Sequence, residues 1–342
     1  MLSGGNTVVF LRERQVECDQ SGWEIRAMNE WNQKKKLLFI YNPRAGKEKI
    51  RSNLLDIIDI FAKADYEITV YPTQSQGDGR KAVVERKKKF FDLIVCCGGD
   101  GTLDEVVSGM MYSSEKLPIG YVPAGSTNDF ASSLGIPGRM KAAASSIVNG
   151  RRFSCDVGAF NEDYFIYIAA FGLFTEVSYA TRQDMKNVLG HMAYLLEGVK
   201  SLSNIKAYDL KVESEDFSVE GSFLYGMVTN SVSVGGFKNI TGKNVQLDDG
   251  EFEVTLIKKP NTAMEVNQIM SALVNRDIST ESMYCFKTKA LTITSKKGVA
   301  WTLDGEYGGI HNKVEIRNEK QALQIIVPEP ICTNRQLMNG LG

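Results

Sequence analysis

The sequence predicts an open α/β domain followed by a mostly antiparallel β domain. Short apolar runs recur in the first half, and each ends in a turn rich in glycine or proline that leads into a helical pattern. Near residue 150 the rhythm changes, and strand-like segments follow one another with fewer helices between them. A length of 342 residues suits two or three domains, and 43% hydrophobic with 24% charged residues is ordinary for a globular chain.

Residues 1–35 show weak periodicity and read as an appendage; the first domain is expected over 36–150. Leu37-Leu38-Phe39-Ile40-Tyr41 has the unbroken apolar character of a strand buried on both faces. It stops at Asn42-Pro43. Beyond Gly46, a helix is predicted from Ile50, Leu54, Leu55, Ile58 and Phe61 at three- and four-residue spacing. Tyr66 to Tyr71 is the second strand, followed by a polar loop (73–79) and a charged helix over about 80–89. Asp92 to Cys97 is the third strand, and the helix after its glycine turn carries Leu103, Val106, Val107 and Met110. Pro118 to Val122 is the fourth.

The second domain is expected over 151–318, with strands at 152–159, 163–171, 207–214, 217–234, 251–258, 290–295, 299–304 and 312–317. A helical insert is predicted at about 175–204. Leu323 to Val327 reads as a last strand, within 319–330, returning to the first domain, and 331–342 as a tail.

Composition excludes several classes. Forty basic against 41 acidic residues leave a net charge of -1, without the cationic excess that bulk nucleic-acid binding needs. Two histidines, His191 and His311, do not suit a histidine zinc site or a Ser-His-Asp hydrolase. Six cysteines without a C-x-x-C pair read as buried reduced thiols of a cytosolic protein. The longest apolar stretch, Tyr164 to Phe174, is shorter than the roughly 20 residues a membrane-spanning helix needs. The start of the chain lacks the pattern of a secretory signal. Any membrane contact is therefore expected to be peripheral.

The candidate chemistry lies at the carboxyl ends of the predicted strands, where open α/β sheets bind ligands. Asn42-Pro43-Arg44-Ala45-Gly46-Lys47 follows the first strand, Gly98-Gly99-Asp100-Gly101-Thr102 the third, and Gly125-Ser126-Thr127-Asn128-Asp129 the fourth. Glycines let backbone N–H groups approach an anion, and a following helix N-terminus favours negative charge. A lone glycine turn reads as a tight connection; three in register point to a phosphate chain. No G-x-x-x-x-G-K-[ST] is present, and no G-x-G-x-x-G follows the first strand.

A carboxylate at Asp100, inside a phosphate cradle, calls for an intervening cation, and Mg²⁺ suits it. Asp129 and Asp304 can add negative charge, and Asp304 and Glu306 share a side if their segment is extended. Its bland alternative is an exposed hairpin turn. Gln246-Leu247-Asp248-Asp249-Gly250-Glu251 is a second acidic turn.

Together, Gly98-Gly99-Asp100-Gly101-Thr102 with Glu105, Gly125 to Ala131, Asp304-Gly305-Glu306 and Asn42-Pro43-x-x-Gly46 resemble the diacylglycerol kinase catalytic-domain family, in particular its bacterial soluble lipid kinases of the YegS/BmrU type. The likeness covers about residues 36–328. It implies a nucleotide-binding α/β domain like that of NAD kinases and diacylglycerol kinases, a β-sandwich domain, and an active site in the cleft. ATP phosphates would meet Asn42, Pro43, Arg44, Ala45, Gly46, Thr73, Gly98, Gly99, Asp100, Gly101, Thr102, Glu105, Gly125, Thr127 and Asn128. Asp100 would hold the catalytic Mg²⁺, supported by Asp129 and Asp304, and Glu306 would be the base for the lipid hydroxyl. A structural Mg²⁺ would be held by the backbone carbonyls of Gln246 and Glu251 and by the Asp249 side chain.

The expected activity is thus ATP- and Mg²⁺-dependent phosphorylation of a lipid hydroxyl, with diacylglycerol as default acceptor, by a cytoplasmic protein touching the inner membrane face. The sequence leaves a homodimer open. An NAD kinase or another small-molecule kinase shares the GGDGT turn, but the first and fourth turns argue against it. A non-catalytic nucleotide- or lipid-binding regulator need not keep Asp100, Asp304 and Glu306.

Overall fold

The structure of the chain is a computed structural model, and it describes residues 34–48, 50–86, 91–172, 206–231, 233–234, 237–238, 245–275 and 280–329. The expected insert at 175–204, most of the appendage and the tail lie outside these residues.

Four strands, β1 (Lys35–Tyr41), β2 (Tyr66–Pro72), β3 (Leu93–Gly98) and β4 (Ile119–Pro123), form a parallel sheet in the order β2-β1-β3-β4. Leu37 to Ile40 and all of β3 are buried, as their continuous apolar sequences require. Helices α1 (Ile50–Lys63), α2 (Asp78–Arg86), α3 (Asp100–Met111), α4 (Asp129–Ser133) and α5 (Met140–Asn149) join them and lead onward. The chain leaves β1 towards β2 on one side and returns to β3 on the other. The turns after β1 and β3 therefore diverge, and a crevice opens at this switch point.

The β domain contains β5 (Arg151–Phe160), β6 (Asp163–Phe165), β7 (Ile168–Gly172), β8 (Tyr208–Ser214), β9 (Ser218–Thr229), β10 (Ser233–Val234), β11 (Phe237–Lys238), β12 (Phe252–Lys258), helix α6 (Ala263–Asn275), β13 (Met283–Thr288), β14 (Ala290–Leu303) and β15 (Glu306–Val327). It is the β-sandwich-like second domain, and its core is aromatic. Trp301 packs edge-on to Phe160 and Phe171, with ring centroids 5.1 and 4.9 Å away. The long strand β15 pairs antiparallel with β14 and β5 and, at Ile325, parallel with Ile119 of β4. One strand thus ties the two lobes into a continuous sheet. Tyr112, at the end of α3, packs its ring on Tyr164 of β6 at 5.4 Å and adds a second tie.

Several elements differ from the sequence reading. The predicted strand 163–171 splits into β6 and β7, because the N–H groups of Ile166 and Tyr167 turn to Asp304 instead of a ladder. Segments 290–295 and 299–304 are one strand, β14, with a register shift between Thr294 and Val299. Segments 312–317 and 323–327 belong to one strand, β15. Helix α6 and strand β13 are not anticipated. A signal for α6 exists: Thr262 and Glu265 form a reciprocal cap, Glu265 N–H on Thr262 Oγ1 (3.2 Å) and Asn261 N–H on Glu265 Oε2 (2.8 Å). The thiols of Cys96, Cys97 and Cys155 are free and buried as expected, whereas Cys285 is exposed because it lies on β13 at the edge of the sheet.

Candidate active site

The strand-end turns are held against one another by their own backbone. Gly46 has φ +58°, and a Cβ there would come within 2.0 Å of the Ala124 carbonyl oxygen. A Cβ on Gly125 would meet the Gly99 Cα at 2.7 Å. Only glycine permits these approaches. Asn128, itself at φ +52°, closes the third turn: its Oδ1 accepts from Gly125 N–H at 2.8 Å and its Nδ2 donates to the Gly125 carbonyl at 3.1 Å. Asn42 spans the first two turns, accepting from Arg44 N–H at 2.9 Å and donating to Thr102 Oγ1 at 3.4 Å.

Two adjoining cavities open on this framework. The smaller, about 190 Å³, is lined by the first turn (Asn42 and Arg44 to Gly46), the second (Gly99 to Thr102), the third (Gly125 to Thr127), Tyr167, and Asp304 to Glu306. Asp100 and Glu306 therefore face one crevice between the lobes. The larger, about 750 Å³, shares Asn42, Arg44, Gly101, Thr102 and Glu306 with it and extends past Pro43, Thr73 and Arg80 to Tyr164 and Tyr307.

Carboxylates dominate the crevice. Asp100 begins α3; its Oδ2 accepts from the Thr127 hydroxyl at 3.3 Å, and its Oδ1 is buried without a hydrogen-bond partner. Burial pushes this carboxyl up to about 6 and the neighbouring Asp129 adds to the push, while the Asp129 N–H, Thr127 hydroxyl and Phe130 N–H pull the other way. Asp304 is buried on the opposite lobe. Its carboxylate accepts three backbone N–H groups, from Ile166 (2.6 Å), Tyr167 (3.0 Å) and Ile168 (2.9 Å). Burial pushes this carboxyl up to about 7, while the three donors pull it back towards the anion. One helical turn beyond Asp100 lies Asp104, whose carboxyl is driven far up by burial, by the charge of Asp304 and by a hydrogen bond to it. Burial raises both carboxyls, and Asp104, whose shift no donor offsets, is the one pushed further towards its protonated form. No Lys or Arg ion pair reaches Asp100, Asp104 or Asp304 among the described residues.

An unpartnered buried carboxylate oxygen beside three glycine turns suits a hard divalent cation that brings phosphate with it. Residues 36–160 match the model of the diacylglycerol kinase catalytic domain, and residues 169–327 match the YegS C-terminal NAD kinase beta sandwich-like domain. The diacylglycerol kinase of Bacillus subtilis (strain 168) is 34% identical over 277 residues, which is 81% of this chain and 91% of that protein. That of Staphylococcus aureus (strain MRSA252) is 33% identical over 309 residues, covering 90% and 96%. The chain belongs to the diacylglycerol kinase family. A crystal structure of a provisionally assigned diacylglycerol kinase from Bacillus anthracis str. Sterne superposes with a TM-score of 0.74 at 26% identity, over 87% of this chain and 97% of that one.

As a member of the diacylglycerol kinase family the chain is a phosphotransferase, and its site residues fall into groups. Asn42, Arg44 to Gly46, Gly99 to Thr102, Gly125, Thr127, Asp304 and Glu306 line the inner cavity, and Pro43 lines the outer one. Gly98 lies just below it, buried as the last residue of β3, and Thr73 lines the outer cavity. Glu105 also borders the outer cavity, but both its oxygens are engaged, accepting from Gly77 N–H (2.7 Å) and Gly79 N–H (2.9 Å) at the start of α2. Asn128 is likewise committed to its own turn, and Asp129 is buried beneath it. Asp104 is absent from the sequence reading, and Tyr167 enters it only within the apolar run Tyr164 to Gly172, a candidate lining for the acceptor tail. The helical spacing from Asp100 was a usable signal for Asp104. The Tyr167 OH donates to the Asp304 carbonyl at 3.0 Å, a contact that no local pattern signals. Of the apolar run Tyr164 to Gly172, only Tyr164 and Tyr167 line these cavities, and Phe165 to Gly172 are buried.

The second acidic turn is remote in function from these cavities, neither of which it lines. Asp156 of β5 anchors it, accepting from Gly250 N–H (2.7 Å), Gln321 N–H (2.7 Å) and Asn318 Nδ2 (3.2 Å). Asp249 meets Lys287 there, and burial pushes the adjacent Glu253 up to about 7 while Lys287 pulls it back.

Proposed function

We propose that the chain is an ATP- and Mg²⁺-dependent lipid kinase that transfers the γ-phosphoryl group to a lipid hydroxyl, with diacylglycerol as acceptor and phosphatidic acid as product. The observation that carries this reading is the shared crevice of Asp100 and Glu306, walled by the three glycine turns. The turns would cradle the phosphates with backbone N–H groups, and the larger cavity has room for the rest of the nucleotide. Asp100 would hold Mg²⁺ through its unpartnered oxygen. Bound there, the ion would neutralise charge developing on the transferred phosphoryl group.

Glu306 lines both cavities and would take the proton of the attacking hydroxyl. Asp304, fixed by three N–H groups, would set the turn that carries Glu306, and Asp129 would support Asp100. Tyr307 and Ile310 are exposed, 58% and 63%, on the hairpin that bears Glu306, and give apolar surface where an acceptor tail would enter. No helix among the described residues is long and apolar enough to cross a membrane. The reading is of peripheral contact with the inner membrane face from the cytoplasm.

The test is incubation with labelled ATP, Mg²⁺ and a panel of lipid alcohols in micelles, with NAD as control. Label should enter diacylglycerol, and Glu306→Gln should lower turnover by about 10²–10⁴-fold with the melting temperature unchanged. Label in NAD alone, or normal turnover by the variant, would sink the proposal.

A further inference from the structure

The family likeness places a divalent ion at the acidic turn of the β domain, on the carbonyls of Gln246 and Glu251 and the Asp249 side chain. The residues do not fit that ion, because a cation of the chain's own is already there. We infer that Lys287, with Lys320 beside it, replaces the structural metal, so that the turn is held closed by ammonium groups and folds without a divalent ion.

Lys287 Nζ lies 3.1 Å from Asp249 Oδ2 and 3.1 Å from Glu253 Oε1. The other Asp249 oxygen accepts the Glu251 N–H at 3.0 Å. Both oxygens of the one side-chain ligand are thus engaged by protein donors. Lys320 Nζ donates to the Asp249 carbonyl at 3.1 Å, and its stem lies where a Cβ on Gly250 would be, 3.0 Å from Lys320 Cδ. The Asp248 carbonyl accepts Gln321 Nε2 at 3.2 Å. Mg²⁺ demands near-octahedral oxygens at about 2.0–2.1 Å. A dication inserted here would face two ammonium groups gathered on one aspartate, and like charges at such range repel. The lysines arrive from β13 and β15, which also bracket the turn, so the counter-charge comes with the fold itself and does not depend on metal concentration.

The test uses the full chain without nucleotide. Metal content after dialysis against EDTA and return to Mg²⁺ buffer is measured in wild type and in Asp100→Asn, which removes the cleft carboxylate from the count. Melting temperatures are measured in EDTA and in Mg²⁺. Expected are no stoichiometric ion in Asp100→Asn and an Asp100→Asn melting temperature that EDTA leaves unchanged. Lys287→Met should melt about 5 °C or more lower, because Asp249 and Glu253 lose their counter-charge. Mg²⁺ or Ca²⁺ should restore part of that loss, while Lys287→Arg should melt close to wild type. One ion per chain retained by Asp100→Asn, an Asp100→Asn melting temperature that falls by several degrees in EDTA, or a Lys287→Met variant as stable as wild type would overturn the inference. If Lys287→Met does not fold, the Asp100→Asn and Lys287→Arg measurements decide. None of these readouts depends on lipid phosphorylation, so failure here leaves the kinase proposal standing, and the reverse.

Discussion

The cleft and the acidic turn both concentrate carboxylates, and they handle the charge in opposite ways. At the turn, Asp156 is satisfied by three amide donors and Asp249 by an amide and an ammonium, and Glu253, whose buried oxygens have no hydrogen-bond partner, is compensated by its ion pair with Lys287. In the cleft, Asp100 keeps one buried oxygen with no donor, and Asp104 accommodates Asp304 by shifting towards its protonated form. Self-sufficient charge is what a structural element needs. Uncompensated charge costs stability and is tolerated where an incoming cation will complete it.

The largest effect that tests this contrast is at Asp100. Asp100→Asn should reduce turnover on the order of 10³-fold while leaving the ligand-free melting temperature equal or higher, the reverse of the stability loss expected for Lys287→Met. A drop of both together would erase the distinction. The pH dependence sharpens it. An unfolded chain releases the Asp100 proton at about 4, the folded chain at about 6. Between those values the folded state holds the extra proton, so this residue's contribution to stability falls as pH rises from about 4 to about 6. Protection by Mg·ATP needs the anion and should weaken as pH falls through about 6. Thermal melts of wild type and Asp100→Asn across that window measure both.

Asp104 comes next. Since its carboxyl is pushed towards the protonated form, Asp104→Asn should keep near-normal turnover by donating to Asp304 in its place, whereas Asp104→Leu should lose about 10²-fold through misplacement of the Asp304–Glu306 turn. Equal kcat for the two variants would show that the donor is unimportant. The smallest effect is at the rim of the turn: Lys320→Ala should change stability by about 0.5 kcal/mol or less, because this lysine is exposed and meets only a carbonyl. Chemical denaturation resolves that difference, and a loss as large as that of Lys287→Met would mean that Lys320 holds the turn equally.

The glycine turns and the Asp304-Gly305-Glu306 segment were legible in sequence because their requirements are local. A Cβ at Gly46 would come within 2.0 Å of the Ala124 carbonyl oxygen, so the position admits only glycine, wherever the partner comes from. The four parallel strands were legible because burial on both faces demands unbroken apolar runs. Asp104 and Lys287 were not legible. Each has an ordinary solvated reading until α3 is set against the Asp304 turn, or β13 against the turn at Asp249. The break between β6 and β7 has the same origin, since it exists only because Asp304, 138 residues later, collects the Ile166 N–H.

The sequence by itself determined the strand-turn-helix order, the phosphate-type turns and the family. It could do so because φ preference, apolar periodicity and the lack of a side chain act within a few residues. Only the tertiary structure decided which carboxylates keep their charge, which hold a proton and which meet a lysine. Those outcomes depend on burial and on neighbours from distant strands, and Coulomb energies in a low-dielectric interior are set by separation in space.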